Sequence, residues 1–203
     1  MKIILDYEYF APLVYYSTLS RFTHCIFERY EHYQKMSFRN RCVVAGAEGM
    51  VTLTIPLEGG RNQRTLMKDV RILNSENWQA NHWKTLQSLY NKSPFFEHYA
   101  AELEELYQRR FSFLADWNNA CFQWCCDKLS LNPLVAFTEE YVHLYPQEEF
   151  VDWRNMLKPS TINSRFPEPK KYTQVFEDRT GFVPNLSVLD YIFCTGGKVV
   201  NSE

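Results

Sequence analysis

What this chain lacks narrows its chemistry. No apolar run approaches the roughly 18 residues that a membrane-spanning helix requires. The short run at residues 3–5 closes on acids at Asp6 and Glu8, too brief for the core of a signal peptide. Lys and Arg total 22 against 24 Asp and Glu, a net charge of −2, and the cations are scattered rather than gathered on one face. A nucleic-acid duplex is therefore not an expected partner, because such binding needs a concentrated basic footprint. There is no Walker loop or dinucleotide fingerprint to suggest ATP-driven activation. No Gly-x-Ser-x-Gly elbow surrounds Ser187 to make it a nucleophile. The six cysteines include no Cys-x-x-Cys pair and no nearby histidine that would complete a tetrahedral metal set. They read as free thiols of a cytoplasmic protein, and neither a metal nor a cofactor is expected. No internal repeat and no low-complexity tract appears.

What is present is a chain of 203 residues that is 45% hydrophobic, enough for one sizeable core. Residues 1–157 read as a core domain. Residues 158–203 read as a Pro-rich arm followed by a C-terminal helix that packs on the same domain. Aromatic residues make up 16% of the chain; they supply flat surfaces for sugars and nucleobases, and equally the material of an ordinary core. Oligomeric state has no signature here.

Residues 3–5 read as a short buried strand, residues 13–21 as a helix and residues 25–27 as a second strand, which suggests a right-handed βαβ crossover into a parallel pair. Residues 42–44 and 50–57 alternate as the arms of a hairpin around a turn at 46–49, and residues 70–73 read as one more strand. A helix then starts near Trp78, capped by Asn74 or Ser75, and stops before Ser93-Pro94. Ser93 as cap and Pro94 at the first helical position open a second helix, and a third covers residues 111–129. Residues 134–138 read as a strand and residues 158–171 as an extended arm. Asn185 caps a last helix that Gly196-Gly197 stops. The expected class is α/β with an α+β element: a central mixed sheet with a βαβ start, a hairpin, a cluster of three helices and a closing C-terminal helix.

The helix from Trp78 carries the clearest candidates. At roughly 100° per residue, Trp78, Trp83, Leu86, Leu89 and Tyr90 form one apolar stripe, and His82 falls inside it. An inward imidazole either finds a fixed partner in the core or lines a pocket, and both settings move its pKa. On the third helix, residues 111–129, the inner stripe holds Cys121 and Cys125, which read as buried structural thiols. Ser37, Asn40 and Arg41, with Arg61 and Arg64 from the loop at 59–64, either converge on a phosphate through charge-assisted bonds or form a solvated cationic surface.

Four stretches, taken in order, resemble the WbqC-like protein family. They are Ser37-x-x-Asn40-Arg41; Thr54-Ile55-Pro56-Leu57; Trp78-x-x-x-His82-Trp83 with Tyr90 and Pro94-Phe95-Phe96; and Gly181-Phe182-x-Pro184-Asn185-Leu186-Ser187-x-x-Asp190. The family's genes lie among those for O-antigen and other surface polysaccharides of bacteria, and its members have been suggested to transfer glycine or another acyl group onto an amino sugar. The resemblance thus implies a transferase acting on a nucleotide-linked amino sugar, with an activated acyl donor as second partner. The chain departs from the family at its start. An expected His-Gln-Pro-x-Tyr-x-Pro-Trp appears as Asp6-Tyr7-Glu8-Tyr9-Phe10-Ala11-Pro12-Leu13, and a pair of aspartates appears as Arg29-Tyr30, flanked by Glu28 and Glu31.

On this reading His82 is the base that takes a proton from the attacking amine, and Asn40 donates to the developing oxyanion or to a sugar hydroxyl. Asp190 either orients the imidazole, binds a sugar hydroxyl, or is simply a solvated helix residue. Lys35 and Arg41 hold the diphosphate, and Ser37, Arg61, Arg64 and Trp78 complete the substrate-binding set. The alternative is a non-catalytic sugar-nucleotide-binding or interaction protein of the same pathway, favoured by loss of the family's amino-terminal polar residues. A third reading gives the Pro-rich arm an interaction surface for other assembly enzymes.

Overall fold

A computed structural model describes residues 1–197; positions 198–203, the end of the segment expected from residue 158 onward, lie outside the described residues. The chain starts with β1 (Lys2–Leu5), α1 (Leu13–Leu19) and β2 (His24–Phe27). The two strands are parallel, with Ile3 opposite Cys25 and Leu5 opposite Phe27. Ile3, Ile4 and Leu5 are all fully buried, as expected of an unbroken apolar run covered on both faces. A hairpin follows, β3 (Arg41–Gly46) against β4 (Gly49–Thr54), antiparallel with Val44 opposite Val51. Gly49 closes its turn at φ +123°, a backbone angle that side chains rarely tolerate.

Three helices form the bulk of the remaining core: α2 (Trp78–Tyr90), α3 (Phe96–Gln108) and α4 (Leu114–Lys128). Then come β5 (Leu134–Phe137), parallel to β2, and β6 (Phe150–Asp152), parallel to β1. The sheet order is β5-β2-β1-β6. Two short helices, α5 (Ile162–Arg165) and α6 (Glu177–Thr180), lead to α7 (Val188–Thr195).

The mixed α/β class stands, but its strands are divided between a four-stranded parallel sheet and a separate hairpin rather than sharing one mixed sheet. Other differences are local. Residues 70–73 pair only through isolated bridges, Leu57 with Ile72 and Arg71 with Phe113, because the chain crosses between two loops there. The residue before α2 is Asn77, without a side-chain cap, while Asn74 donates to the Phe111 carbonyl instead. Phe95, not Ser93, precedes α3; the Ser93 hydroxyl turns back to the Tyr90 carbonyl and finishes α2. Ser187, not Asn185, caps α7, and Asn185 sits in the left-handed region at φ +55°. The arm at 158–171 contains α5, and β6 was not anticipated at all, being three residues long.

Trp117 stands fully buried in the core, edge-on to Trp78 at 5.2 Å and tilted against Tyr107 at 5.3 Å between ring centroids. Cys121 and Cys125 are buried beside it, and burial pushes both thiols well above the usual range, so they pack as small apolar groups. All six cysteines are free. Among the described residues no helix is long and apolar enough to cross a membrane.

The last helix is held to the rest by its cap. The Ser187 amide donates to the Val43 carbonyl at 2.7 Å, and its hydroxyl donates to the Phe10 carbonyl at 2.7 Å while accepting from the Leu189 amide at 3.2 Å. One serine therefore ties α7 both to the hairpin and to the turn after β1. Ser187→Ala is expected to cost about 1–2 kcal/mol through lost cap and bridge. In a chain of this size, that lowers the melting temperature by roughly 2–8 °C. A thermal melt followed by circular dichroism checks it, and an unshifted midpoint would contradict the capping role.

Candidate functional site

The chain builds its parallel sheet outward from β1 through β2 to β5, then returns to lay β6 on the other side of β1. The carboxyl ends of β1 and β6 thus flank the point where the strand order reverses, the crevice in which open α/β sheets bind ligands. The residues that leave the strands there are polar. Asp6 follows β1 directly, Glu28 follows β2, and Arg154 and Asn155 lie just past β6.

These groups form a network centred on Arg39, from the loop before β3. Its Nη2 donates to Asp6 Oδ1 at 2.9 Å, to Glu31 Oε2 at 2.5 Å and to Asn155 Oδ1 at 3.2 Å. Asn155 closes the ring by donating its backbone amide to Asp6 Oδ2 at 2.6 Å and its side-chain amide to Glu31 Oε1 at 2.5 Å. It does so from a left-handed backbone, φ +58°, a conformation that costs energy outside glycine and collects at functional sites. A second set adjoins it: Arg154 bonds Glu28 at 3.1 Å and Asp152 at 2.5 Å, while Glu28 also accepts from Tyr30 and Thr138.

The charges around Arg39 do not balance. Asp6, Glu8 and Glu31 face one guanidinium, and Asp6, Glu8 and Arg39 are 6%, 5% and 3% exposed. Glu8 carries the strain: its Oε2 is buried without a hydrogen-bond partner. Burial, then the negative charge of Asp6, push its carboxyl well above the usual range, with Arg39 opposing. Burial likewise raises Glu31. Burial works against charge on Arg39, but Asp6, Glu31 and Glu8 together hold its pKa above the ordinary value.

The residues singled out in the sequence are differently placed. His82 is 7% exposed; its Nδ1 lies 2.9 Å from the Tyr9 hydroxyl, which is itself 2.5 Å from the Tyr107 hydroxyl, and the Thr54 backbone is its other partner. Burial pulls its pKa down to about 4. Of the two settings, His82 occupies the core one, held by fixed partners and too weak a base for neutral solution. Asn40 accepts from the Tyr33 hydroxyl and donates to the Ile55 carbonyl, both at 2.9 Å, pinning the start of the hairpin. Asp190 is fully buried, not solvated, and accepts from the Tyr90 and Tyr172 hydroxyls at 2.7 Å each. These three polar groups belong to separate hydrogen-bond sets. Trp78 is buried edge-on to both Trp117 and His82, and Ser37 closes a turn by donating to the Gln34 carbonyl.

The cations fare otherwise. Residues 29–35 run alongside residues 62–68, joined by Tyr33 to Thr65, Met67 to Glu31 and Lys68 to Arg29 backbone bonds. This places exposed Lys35, Arg61 and Arg64 in two adjoining loops, with Lys35 Nζ donating to Asn62 Oδ1 at 3.2 Å and the Arg64 carbonyl 2.8 Å from His32 Nδ1. The same strip carries Glu31 into the Arg39 network. Arg41 is half-buried, near enough to the Tyr33 hydroxyl for its charge to oppose the rise that burial causes there.

Sequence reasoning missed Arg39, Arg154 and Asn155 and saw Glu8 and Glu31 only as flanking acids. One signal was available: an acid directly after a fully apolar strand, as at Asp6, marks the carboxyl end of a parallel sheet, where polar groups are otherwise hard to explain.

Two titrations follow. Because the native His82 pKa lies near 4 against an ordinary value of 6.5, the unfolded chain binds a proton that the native chain refuses between those limits. Stability contributed by His82 is therefore present above that window and falls as pH is lowered through it, by up to about 1.4 kcal/mol per pH unit. In a nitrogen-15 NMR titration the His82 ring should remain neutral at pH 5.5; protonation near 6.5 would contradict the core placement. Glu8 has the opposite sign, since its raised native pKa makes ionisation destabilising as pH rises above about 4.5. Glu8→Gln should melt above the parent at pH 7.5, with the gap closing toward pH 4; equal melting at both pH values would remove the strain argument.

A protein-family model described as the WbqC-like protein family matches residues 8–153. No curated protein and no solved structure matches the chain. The matched span takes in Glu8, Glu28, Glu31, Arg39 and the hairpin, runs to the end of β6, and covers well over half of the 203 residues; the chain belongs to the WbqC-like protein family.

Proposed function

We propose that this protein is an acyl- or aminoacyl-transferase, of the glycine-transferring kind, that acts on the amine of a nucleotide-linked amino sugar in bacterial surface polysaccharide (O-antigen) synthesis. The observation that carries this reading is the imbalance at the sheet's carboxyl edge. Asp6, Glu8 and Glu31 surround a single guanidinium, and Glu8 Oε2 has no partner. A buried excess of carboxylate calls for a cation, and the protonated amine of an amino sugar is one.

Glu8 takes the role first considered for His82. Burial holds the Glu8 carboxyl well above the usual carboxylate range, which narrows the gap in proton affinity to the amine it must deprotonate and so favours general-base work. The amine gives its proton to Glu8, its nitrogen attacks the acyl carbon of a thioester or mixed anhydride, and the bond from that carbon to sulfur or oxygen breaks. The leaving group departs with the electron pair and takes up the second proton, which the nitrogen gives up as the neutral amide forms. Lys35, Arg61 and Arg64, assisted by Arg41, hold the diphosphate of the sugar nucleotide through charge-assisted bonds. Asn155 and Arg39 keep Asp6 and Glu31 oriented toward the amine.

A non-catalytic binding protein of the same pathway is the second reading, favoured by the internal bonds that occupy His82, Asn40 and Asp190. Turnover separates the two. With a uridine-diphosphate amino sugar and a glycyl thioester, Glu8→Gln should lower kcat by about 10²- to 10⁴-fold. Lys35→Ala or Arg64→Ala should weaken sugar-nucleotide binding by about tenfold, with kcat little changed. Binding without turnover in the parent protein selects the second reading, and absence of both overturns the first and second alike.

A further inference from the structure

The Pro-rich segment is tied back to the core rather than left free. Arg165 Nη1 donates to the Met156 carbonyl at 3.0 Å, and Asn185 Nδ2 donates to Asn163 Oδ1 at 2.9 Å and to the Phe166 carbonyl at 3.1 Å. Between these ties the segment stands off α1 and leaves a groove of about 710 Å³, within the range of small-molecule sites. Leu13 and Val14 of α1 line one wall, and Phe166, Tyr172 and Phe182 supply aromatic faces. Arg21, Arg165 and Lys170 reach the same groove, against one carboxylate, Glu168. All three cations are exposed.

Asn185 adds a specific feature. It lines the groove, is 8% exposed, and its Oδ1 is buried with no hydrogen-bond partner while both donor bonds of its amide are used. It sits there at φ +55°, so a left-handed residue with a buried, unpaired acceptor forms part of the wall of an apolar, cationic groove. A buried acceptor without a donor is costly, and the chain carries that cost at the edge of the groove.

We propose that this groove binds a nucleotide: the base against the aromatic faces and the phosphates on Arg21, Arg165 and Lys170. The groove is separate from the Arg39 network but next to it, since Arg165 is bonded to Met156, the neighbour of Asn155. If the transfer reaction proposed above is right, the nucleotide here is the leaving half of the activated acyl donor; that clause alone rests on the earlier reading. Nucleotide binding itself does not.

Isothermal titration calorimetry of the full chain with ADP, UDP and inorganic phosphate tests the site, together with Lys170→Glu and Arg21→Glu, both at exposed positions. At least one nucleotide should bind the parent protein more tightly than phosphate does, and each charge reversal should weaken it by about tenfold or more, while thermal melting stays unchanged. Silence from both nucleotides overturns the proposal. So does phosphate binding as tightly as either nucleotide, or nucleotide binding indifferent to both reversals. Loss of ADP binding in Lys170→Glu with retained binding of a uridine-diphosphate amino sugar would separate this groove from the carboxylate site, so either assignment can fail without the other.

Discussion

The guanidinium of Arg39 is the group on which the carboxyl edge of the sheet depends. One nitrogen reaches Asp6 after β1, Glu31 beyond β2 and Asn155 after β6, and the Arg39 carbonyl accepts from Asn118 of α4 at 2.7 Å. Three segments far apart in the chain thus meet at one charge that is 3% exposed, and a fourth holds its backbone. Removing such a charge would leave carboxylates buried and unpaired, a cost of about 3–5 kcal/mol. Keeping it is not cheap either, since burial opposes its ionisation and only the sum of its acidic neighbours prevails.

That surplus of acid sets this network apart from a balanced set of ion pairs. A purely structural network would match its charges and satisfy its lone pairs, whereas Glu8 keeps one oxygen unpartnered. Proteins tolerate such local violations where chemistry or binding repays them. Beside it lies an aromatic core: Trp117, Tyr9, Phe10 and Tyr107 pack around one another with ring centroids 5 to 7 Å apart, the spacing at which aromatic pairs attract. His82 belongs to that core. Its neutral ring joins Tyr9 to the Thr54 backbone, and so joins the turn after β1 to the hairpin.

Much of the fold was legible because its signals are local. The βαβ start follows from two short apolar runs with a helical period between them, and the hairpin from β-branched alternation around Gly46 and Gly49. The helices at Trp78, Phe96 and Leu114 follow from stripes of large apolar side chains. The inward side of His82 was legible for the same reason. Its role was not, because two settings share one position on the helical wheel, and only a partner, here Tyr9, distinguishes them. Asn40 and Asp190 drew notice as polar residues in recognisable motifs, yet each is consumed by tyrosine hydroxyls that approach from elsewhere in the chain. Lys35, Arg61 and Arg64 were grouped from the chain, and backbone pairing between residues 29–35 and 62–68 brings their loops together.

By itself the sequence determined the α/β class, the order of nearly all elements, the inward faces of the helices and the absence of any long apolar run, since these depend on periodicity and on residue preference within a few turns. Only the tertiary structure decided that β6 returns to the far side of β1, a pairing carried by three residues too few to show a period. With that return came the switch point, the meeting of Asp6, Glu31 and Asn155 on Arg39, and the isolation of Glu8. Charges separated by many residues acquire their meaning from distance in space, because Coulombic and desolvation energies depend on separation and burial rather than on position along the chain.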